Sequence, residues 1–539
     1  MTPKQCGNWR LAMALQALLK RNTYYDSITL MSLAQSLKQL SGVEDVGAIM
    51  ATEANYALLQ ASALFPSTFL HEQKELPGPD DLLLVVKAVD EACAQQALRM
   101  AEERLSSARH AVQHSHQPRP ARSLETALRR GETANLAVIS VAGEHAWLEA
   151  EQALRQGLHV FLFSDNVSVE QEKYLKTLAL EKSLLMMGPD CGTALINGVG
   201  LGFCNVVPRG SIGIVGASGT GMQQLMCLIA AAGLGISQAI GTGGRDLSEA
   251  IGGMMMRCGL ALLANDPHTE VILLVSKPPA ASTAREILAA AQLTKPVVAI
   301  FQGCAPAQFA EHVGKVHLVR TLSEGAELAI ALAGGDPAQL FGRQVLQRDQ
   351  ERLLAERKGL APYQRYIRAL YAGGTLCDEA MLLLSERIGK ISSNVPLKVE
   401  WSIPSGQIYQ GHTALDLGSD EFTRGRPHPM IDPNLRLRYL AEAAQDRETA
   451  VILLDILLGF CAHPDPAALY APAIARIRKS ALDEGRSLPI IVVLCGTEDD
   501  PQQVSRQRYA LEAAGAIVYE SNAAAVVAAA SLLDSEENM

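Results

Sequence analysis

The sequence predicts a multidomain α/β protein built on parallel sheets. Three observations carry that expectation. From residue 136 onward, strand-length apolar runs alternate with helix-length amphipathic runs, the pattern of βαβ units. The strand runs are continuously apolar, as strands covered on both faces are. Length sets the number of domains: 539 residues, at roughly 100–200 residues each, make three to five.

Composition narrows the function classes. Hydrophobic residues make up 48% and charged residues 19% of the chain, enough for large cores. Aromatics are 5%, a poor supply of stacking platforms for single-stranded nucleic acid. The net charge of −10 provides no basic field for nucleic acid or an anionic membrane, so neither is an expected partner. The 10 cysteines stand singly with no C-x-x-C pair, a reduced intracellular pattern. A cytoplasmic location is expected. The apolar stretch 9–19 is too short to span a bilayer. It reads as a dispensable helical extension or a misplaced start.

Residues 20–108 read as a small α/β unit of ferredoxin-like size, regulatory or interfacial. Its strands are expected at 22–25, 46–51 and 82–86, its helices at 27–40, 54–63 and 91–108. Residues 109–125 read as a linker. His110, His114 and His116 lie there, but no second ligand cluster accompanies them and no metal is expected. Strands at 136–141, 160–163 and 184–187 alternate with helices at 144–156 and 168–182. A further domain opens at Gly210, with later strands at 237–240, 271–275 and 297–301. A charged helical connector follows at 342–359. Strands at 366–371, 413–417, 450–455, 490–494 and 517–519 build the last domain. In such sheets ligands sit beyond the carboxyl ends of the strands.

Those ends carry the candidate chemistry. The central stretch is Gly216-Ala217-Ser218-Gly219-Thr220-Gly221, between an apolar strand and a helix. Glycines let backbone approach a ligand, and the free N–H groups and dipole of a new helix favour an anion. Ser218 and Thr220 add hydroxyls. An ordinary βα turn with small packing residues is the plainer reading. The next strand end carries a second glycine-rich turn with Gly243, Gly244, Arg245 and Asp246. The third carries Ser276 and Lys277. Arg245 and Lys277 are expected to reach one crevice and hold an anion. In the last domain Arg424, Arg426, His428 and Asp432 stand on a proline-stiffened loop, as functional loops on rigid scaffolds do. An interdomain salt-bridge loop is the alternative.

The segments ANLAVISVAG (134–143), FSDNVSVEQE (163–172), MGPDCGTA (187–194), GSIGIVGASGTG (210–221), GTGGRDLSEAIGG (241–253), VSKPPA (275–280), YAGGTLCDEAM (371–381) and GRPHPMIDP (425–433) bring a family into view. The chain resembles the FdrA family, its YahF-like branch included. These are acyl-CoA synthetase-like proteins related to the α subunit of succinyl-CoA synthetase. The resemblance implies a Rossmann-like CoA-binding-type domain at 126–207 and a flavodoxin-like CoA-ligase domain at 208–336. It implies a helical linker at 337–362 and a second ligase-type flavodoxin-like domain at 363–539. Gly188, Pro189, Asp190 and Cys191 stand where the ligases have a turn near bound CoA. The 216–221 turn stands where they bind phosphate. CoA, phosphate or an acyl phosphate is therefore the implied ligand.

The sequence also departs from those ligases. Their phosphorylated histidine sits in a Gly-His-Ala-Gly turn, and the matching region here holds His312 and His317 without the flanking small residues. Their Glu-x-Gly-Gly turn is matched by Ser276-Lys277-Pro278-Pro279, which has no carboxylate. No ATP-grasp domain is visible. Family members are linked to carbamoyl transfer in purine (allantoin) breakdown, with partner subunits. The expectations are a CoA-ligase-like enzyme of a small anionic substrate, or a subunit of an oxamate-type carbamoyltransferase assembly. A non-catalytic scaffold is the third. Partners from neighbouring genes and an oligomer are implied.

Overall fold

The computed structural model describes residues 14–533 except 24, 26, several positions between 53 and 76, 115–120, 122, 131–132, 294, 305–315, 340–348, 405–406 and 425. The chain divides into two compact units, 1–121 and 122–539.

In the first unit β1 (Ala14–Lys20), β2 (Val43–Met50) and β3 (Leu82–Ala88) form an antiparallel sheet in the order β1-β3-β2. The strand expected at 22–25 is displaced. The apolar run ahead of it pairs as β1 along the whole of β3, and Arg21 and Asn22 form the turn that follows. Residues 14–19 are thus part of a sheet, not a helical extension. Strand pairing decides this: an apolar heptapeptide satisfies its backbone groups against β3 and covers the sheet at once. Helices Ser27–Lys38 and Glu91–His114 pack their apolar faces on one side of the sheet through Leu33, Leu37, Ala97 and Ala101. The second helix runs into the expected linker, so His110 and His114 are helical, while His116 lies outside the described residues.

The second unit holds three sheets. β4 (Leu136–Ile139), β5 (His159–Leu162) and β6 (Met186–Met187) are parallel, with helices Gly143–Arg155 and Val169–Glu181 between them. Ser168 caps the second helix with a full capping box to Gln171. The next sheet takes β9 (Arg209–Ala217), β10 (Ile236–Gly241), β11 (Val271–Ser276), β12 (Val297–Phe301) and β13 (Val316–Val319) in parallel. An antiparallel hairpin, β7 (Thr193–Ile196) and β8 (Val199–Gly202), joins its edge beside β10. Residues 193–202 therefore belong to this sheet and not to the unit before it, because the hairpin covers an edge left open by β10. The last sheet comprises β14 (Tyr366–Tyr371), β15 (Ile391–Ser393), β16 (His412–Asp416), β17 (Thr449–Leu457), β18 (Ile490–Cys495) and β19 (Ile517–Tyr519), all parallel.

The strand orders position the site. The five parallel strands from β9 run β13-β12-β11-β9-β10. Without the short edge strand β15, the last sheet runs β16-β14-β17-β18-β19. Both are the 2-1-3-4-5 order of flavodoxin-like folds, with a switch point between the first and third strands. One switch point lies at the ends of β9 and β11, the other at the ends of β14 and β17.

The two sheets share one hydrophobic core. Helices Gly219–Ala231 and Leu322–Leu332 contribute Leu225, Ile229, Ala326 and Ile330, and helices Gly374–Ile388 and Asn522–Ser531 contribute Leu376, Met381, Ala525 and Val526. A polar seam runs beside it. Asn205 donates to Asp500 (2.8 Å) and to the Leu458 carbonyl (3.1 Å), Val206 N–H donates to Asp500 (2.7 Å), and Gln223 donates to Asn205 (3.0 Å). The β4–β6 layer is fastened by charge. Lys176, fully buried, reaches Glu172 and Asp246 at 2.8 Å each and the Thr242 carbonyl at 2.9 Å. Asp246 also accepts from the N–H of Met256 (2.8 Å) at the start of the next helix.

Removing the cation from that trio leaves two carboxylates buried against each other. Lys176→Met is expected to cost about 3–5 kcal/mol, read as a lower denaturant midpoint in urea unfolding; an unchanged midpoint contradicts the assignment.

Candidate active site between two helix N-termini

The glycine-rich turn after β9 and the one after β14 meet. Ser218 caps the Gly219–Ala231 helix, its Oγ accepting from Gly221 N–H at 3.0 Å. The same Oγ lies 2.7 Å from Oγ1 of Thr375, in the first turn of the Gly374–Ile388 helix. Only glycine fits at Gly373: a Cβ there would stand 2.8 Å from Thr220 Oγ1. Two helix N-termini from separate sheets thus face one cleft. Among the described residues, the N–H groups of Gly219, Thr220, Gly374 and Thr375 take no hydrogen-bond partner, so four donors are left at two positive dipole ends.

Lys277 follows β11 and stands in this cleft. A Cβ on Gly374 would lie 2.6 Å from Lys277 Nζ and 2.7 Å from Asp416 Oδ2. The ammonium and the carboxylate therefore straddle Gly374, without closing an ion pair. Lys277 is half-buried and makes no hydrogen bond or ion pair among the described residues. Burial works against its charge, but Asp416, Asp378 and Asp190 outweigh burial and hold its pKa above the usual lysine value. It stays a cation at neutral pH.

Three carboxylates surround it. Asp416 ends β16, and its Oδ1 accepts from Gly418 N–H at 3.0 Å. Burial raises its pKa against the pull of Lys277. Asp378 is one helical turn beyond Gly374 and so on the same face. It is buried, has no hydrogen-bond partner among the described residues, and is pushed up to about 7 by burial despite Lys277. Asp190 is exposed, and loss of hydration against the surrounding turns raises its carboxyl to about 6 despite Lys277.

The residues singled out in the sequence divide by position. The 188–191 and 241–246 turns are packed together. A Cβ on Gly243, at φ +88°, would meet the Pro189 carbonyl at 2.3 Å, and one on Gly244 would lie 3.1 Å from Asp190 Oδ2. Cys191 is buried against the Thr193 carbonyl, and burial pushes its thiol up to about 12. It is a packing residue. Gly216 packs under Met222. Arg245 turns to Glu172 (3.0 Å) and the Val167 carbonyl (2.7 Å), so most of its guanidinium is engaged in joining layers. His428 packs on Phe203 and beside Gly418, the residue that follows the Asp416 turn. Burial, then Arg436, lowers it to about 4, so it is neutral; its Nδ1 accepts from Met430 N–H at 3.3 Å. Asp432 accepts from Asn434 N–H (3.0 Å) where the Asn434–Gln445 helix starts. Arg424 is exposed and Arg426 half-buried. His312 lies outside the described residues, and His317 is exposed on β13.

Asp378 carries no role in the sequence reading, and Asp455, the positioning carboxylate, stands there only as a polar residue at a strand end. Asp378 has a local signal: it stands four residues after Gly374, hence over the helix start. Asp455 lies within β17 and is fully buried. Its two oxygens accept from Ala372 N–H and Gly373 N–H at 2.8 Å each, and Arg436 closes on it at 2.9 Å. It consumes the donors behind the turn and leaves those of Gly374 and Thr375 pointing on. Asp455→Ala is expected to destabilise by about 3–5 kcal/mol, since Arg436 then keeps a buried charge without its partner. Asp455→Asn should lose less, and equal losses in urea unfolding would contradict this role.

Three family models match the chain. "AllF, heavy metal-associated domain" matches 13–120, "CoA binding domain" 208–303 and "CoA-ligase" 370–532. The last two fall on the two sheets that form the cleft. The described residues of the first unit do not fit a heavy metal. Cys93 is its described cysteine, and no group of three His, Cys, Asp or Glu is placed to hold an ion. Its β1 turn already contains a cation, Arg21, paired with Asp81 at 2.8 Å. The succinate–CoA ligase α subunit of Aquifex aeolicus is 29% identical over 27% of this chain and 48% of that protein. The apo acetyl-coenzyme A synthetase 1 of Ca. Korarchaeum cryptofilum superposes with a TM-score of 0.32 at 16% identity, covering 74% of this chain and 83% of that one. That superposition is too loose to argue from. The uncharacterized protein YahF of Escherichia coli is 44% identical over 95% of this chain and 97% of its own. Identity at that level, running almost end to end in both proteins, settles the relationship: the chain belongs to the FdrA family of acyl-CoA synthetase-like proteins.

Proposed function

We propose that the protein is an acyl-CoA synthetase-like enzyme that holds the phosphate end of an acyl phosphate between its two helix N-termini. The carrying observation is the meeting of the Gly219 and Gly374 helix starts around Lys277, a cation without a partner among the described residues. Backbone N–H groups at helix starts bind phosphate oxygens, and a fixed ammonium adds charge where the leaving group forms. The acyl carbon then lies among Asp378, Asp416 and Asp190. CoA enters as co-substrate, its thiol the acceptor of the acyl group. The two CoA-type family matches support this class of ligand.

A second reading is a subunit of a carbamoyl-transferring assembly, completed by partner proteins. One observation favours direct transfer without a phosphohistidine. His428, the described histidine beside the cleft, is neutral with Nδ1 already accepting a hydrogen bond. Carbamoyl phosphate would use the same phosphate donors.

Thermal-shift titration tests the phosphate cradle. Inorganic phosphate, acetyl phosphate, carbamoyl phosphate and CoA are the ligands. An anion at a hundred times its Kd stabilises by about 2.7 kcal/mol, so a clear upward shift is expected. Gly219 has room for a Cβ, whose nearest neighbour would be Thr193 Oγ1 at 3.5 Å. Gly219→Asp should therefore fold, place a carboxylate at the helix start and abolish the shift. Lys277→Ala should weaken it about tenfold or more, as loss of a charge-assisted contact does. Response to acyl phosphates in Gly219→Asp would overturn the reading. A response to carbamoyl phosphate but not to CoA would favour the second.

A further inference from the structure

We propose that Asp378 is the proton-handling catalytic residue of the cleft, working between Lys277 and Asp416. The inference rests on the phosphate-cradle reading and assigns the chemistry beside it.

Geometry carries the assignment. The helix start places Gly374 directly against Lys277 Nζ and Asp416 Oδ2. Four residues later the same helix face presents Asp378. Asp378 as a residue is 9% exposed and takes no hydrogen-bond partner among the described residues, its carboxylate oxygens keeping contact with solvent. A largely buried carboxylate that no protein donor holds, open to solvent beside a cation, is available for chemistry in a way a hydrogen-bonded one is not. Its neighbour in sequence shows the contrast. Glu379 also lies buried, but both its oxygens are used, accepting from Leu322 N–H (2.7 Å) and Asn522 Nδ2 (2.8 Å). Glu379 is a structural carboxylate; Asp378 is an idle one facing a cation.

The charged groups around Asp378 are defined. Lys277 faces it from the end of β11 and Asp416 from the end of β16; on its own helix the adjacent group is the thiol of Cys377, kept protonated by burial. Burial raises the Asp378 carboxyl and Lys277 limits the rise, which leaves it near neutrality, where a proton relay works best.

The step balances as follows. The nucleophile, an X–H group such as a thiol or amine, attacks the acyl carbon of the bound acyl phosphate. An X–C bond forms and the C–O bond to phosphate breaks, the electron pair leaving with oxygen. The X–H proton passes to Asp378 and from it to the departing oxygen, so hydrogen phosphate leaves. Lys277 stays charged throughout and offsets the negative charge on the leaving group.

Sulfate tests this without needing turnover, since it remains a dianion across the range used. Ionising Asp378 puts a negative charge beside the anion, so sulfate affinity should fall by about tenfold between pH 6.5 and 8 in the unsubstituted protein. Calorimetry in two buffers of different ionisation enthalpy should show proton uptake on binding near pH 7. Asp378→Asn should flatten the affinity profile to within about twofold over that range and remove the uptake. Asp190, raised to about 6, accounts for a weaker step that remains below pH 6.5. Asp378→Ser serves if the amide variant does not fold. Sulfate binding with the same pH profile and proton uptake in the variant overturns the role of Asp378 while leaving the cradle intact. Absence of sulfate binding in the unsubstituted protein overturns both.

Discussion

Two helix N-termini of like sign meet, and the second unit is arranged around that contact. Each carries a partial positive charge on its unsatisfied N–H groups, so bringing them together needs compensation. The structure supplies it in layers. The hydroxyls of Ser218 and Thr375 share a hydrogen bond across the junction. Asp455 absorbs two N–H groups behind the second turn. Asp378, Asp416 and Asp190 set negative charge around Lys277 beside the junction. The donors of the first turns remain unspent, and that remainder is an anion site.

The meeting depends on topology rather than on any one contact. In a 2-1-3-4-5 sheet the first strand is central, and its following helix starts at the switch point. Two such sheets packed through their first helices bring both starts to one place. The shared apolar core and the Asn205–Asp500–Gln223 seam hold them there. The Lys176 trio adds the third layer at the rim, which brings the 188–191 turn and Asp190 to the cleft wall. Burying a trio of charges gains little net stability. What it gives this fold is a defined register between layers, because the three groups satisfy one another in one arrangement.

The electrostatics of the cleft are deliberately unbalanced. One ammonium faces three carboxylates, and each carboxylate is raised because burial opposes its charge. Lys277 escapes the fate of most buried lysines because those same carboxylates surround it. Arg245 and Arg436, by contrast, are spent on structure: one joins layers through Glu172, the other neutralises Asp455.

Much of this was readable in the residues. Continuous apolar strands and glycine-rich strand ends determined the α/β class, the order of elements and the 216–221 turn, because these depend on local pattern. Lys277 was found for the same reason, since it follows a buried strand directly. The first strand was misplaced because an apolar run of β1's length suits helix and strand alike, and only its pairing with β3 decides. Asp378 looked like an ordinary helix residue, and Asp455 like one more polar residue at a strand end. Their roles arise from atoms distant in sequence, Lys277 for one and Ala372 and Gly373 for the other. Arg245 looked like a ligand and is a fastener for the same reason. Sequence by itself determined which turns could receive an anion, since glycine and helix starts act locally; tertiary structure decided that two of them face each other, because only the packing of two switch points brings like dipole ends together.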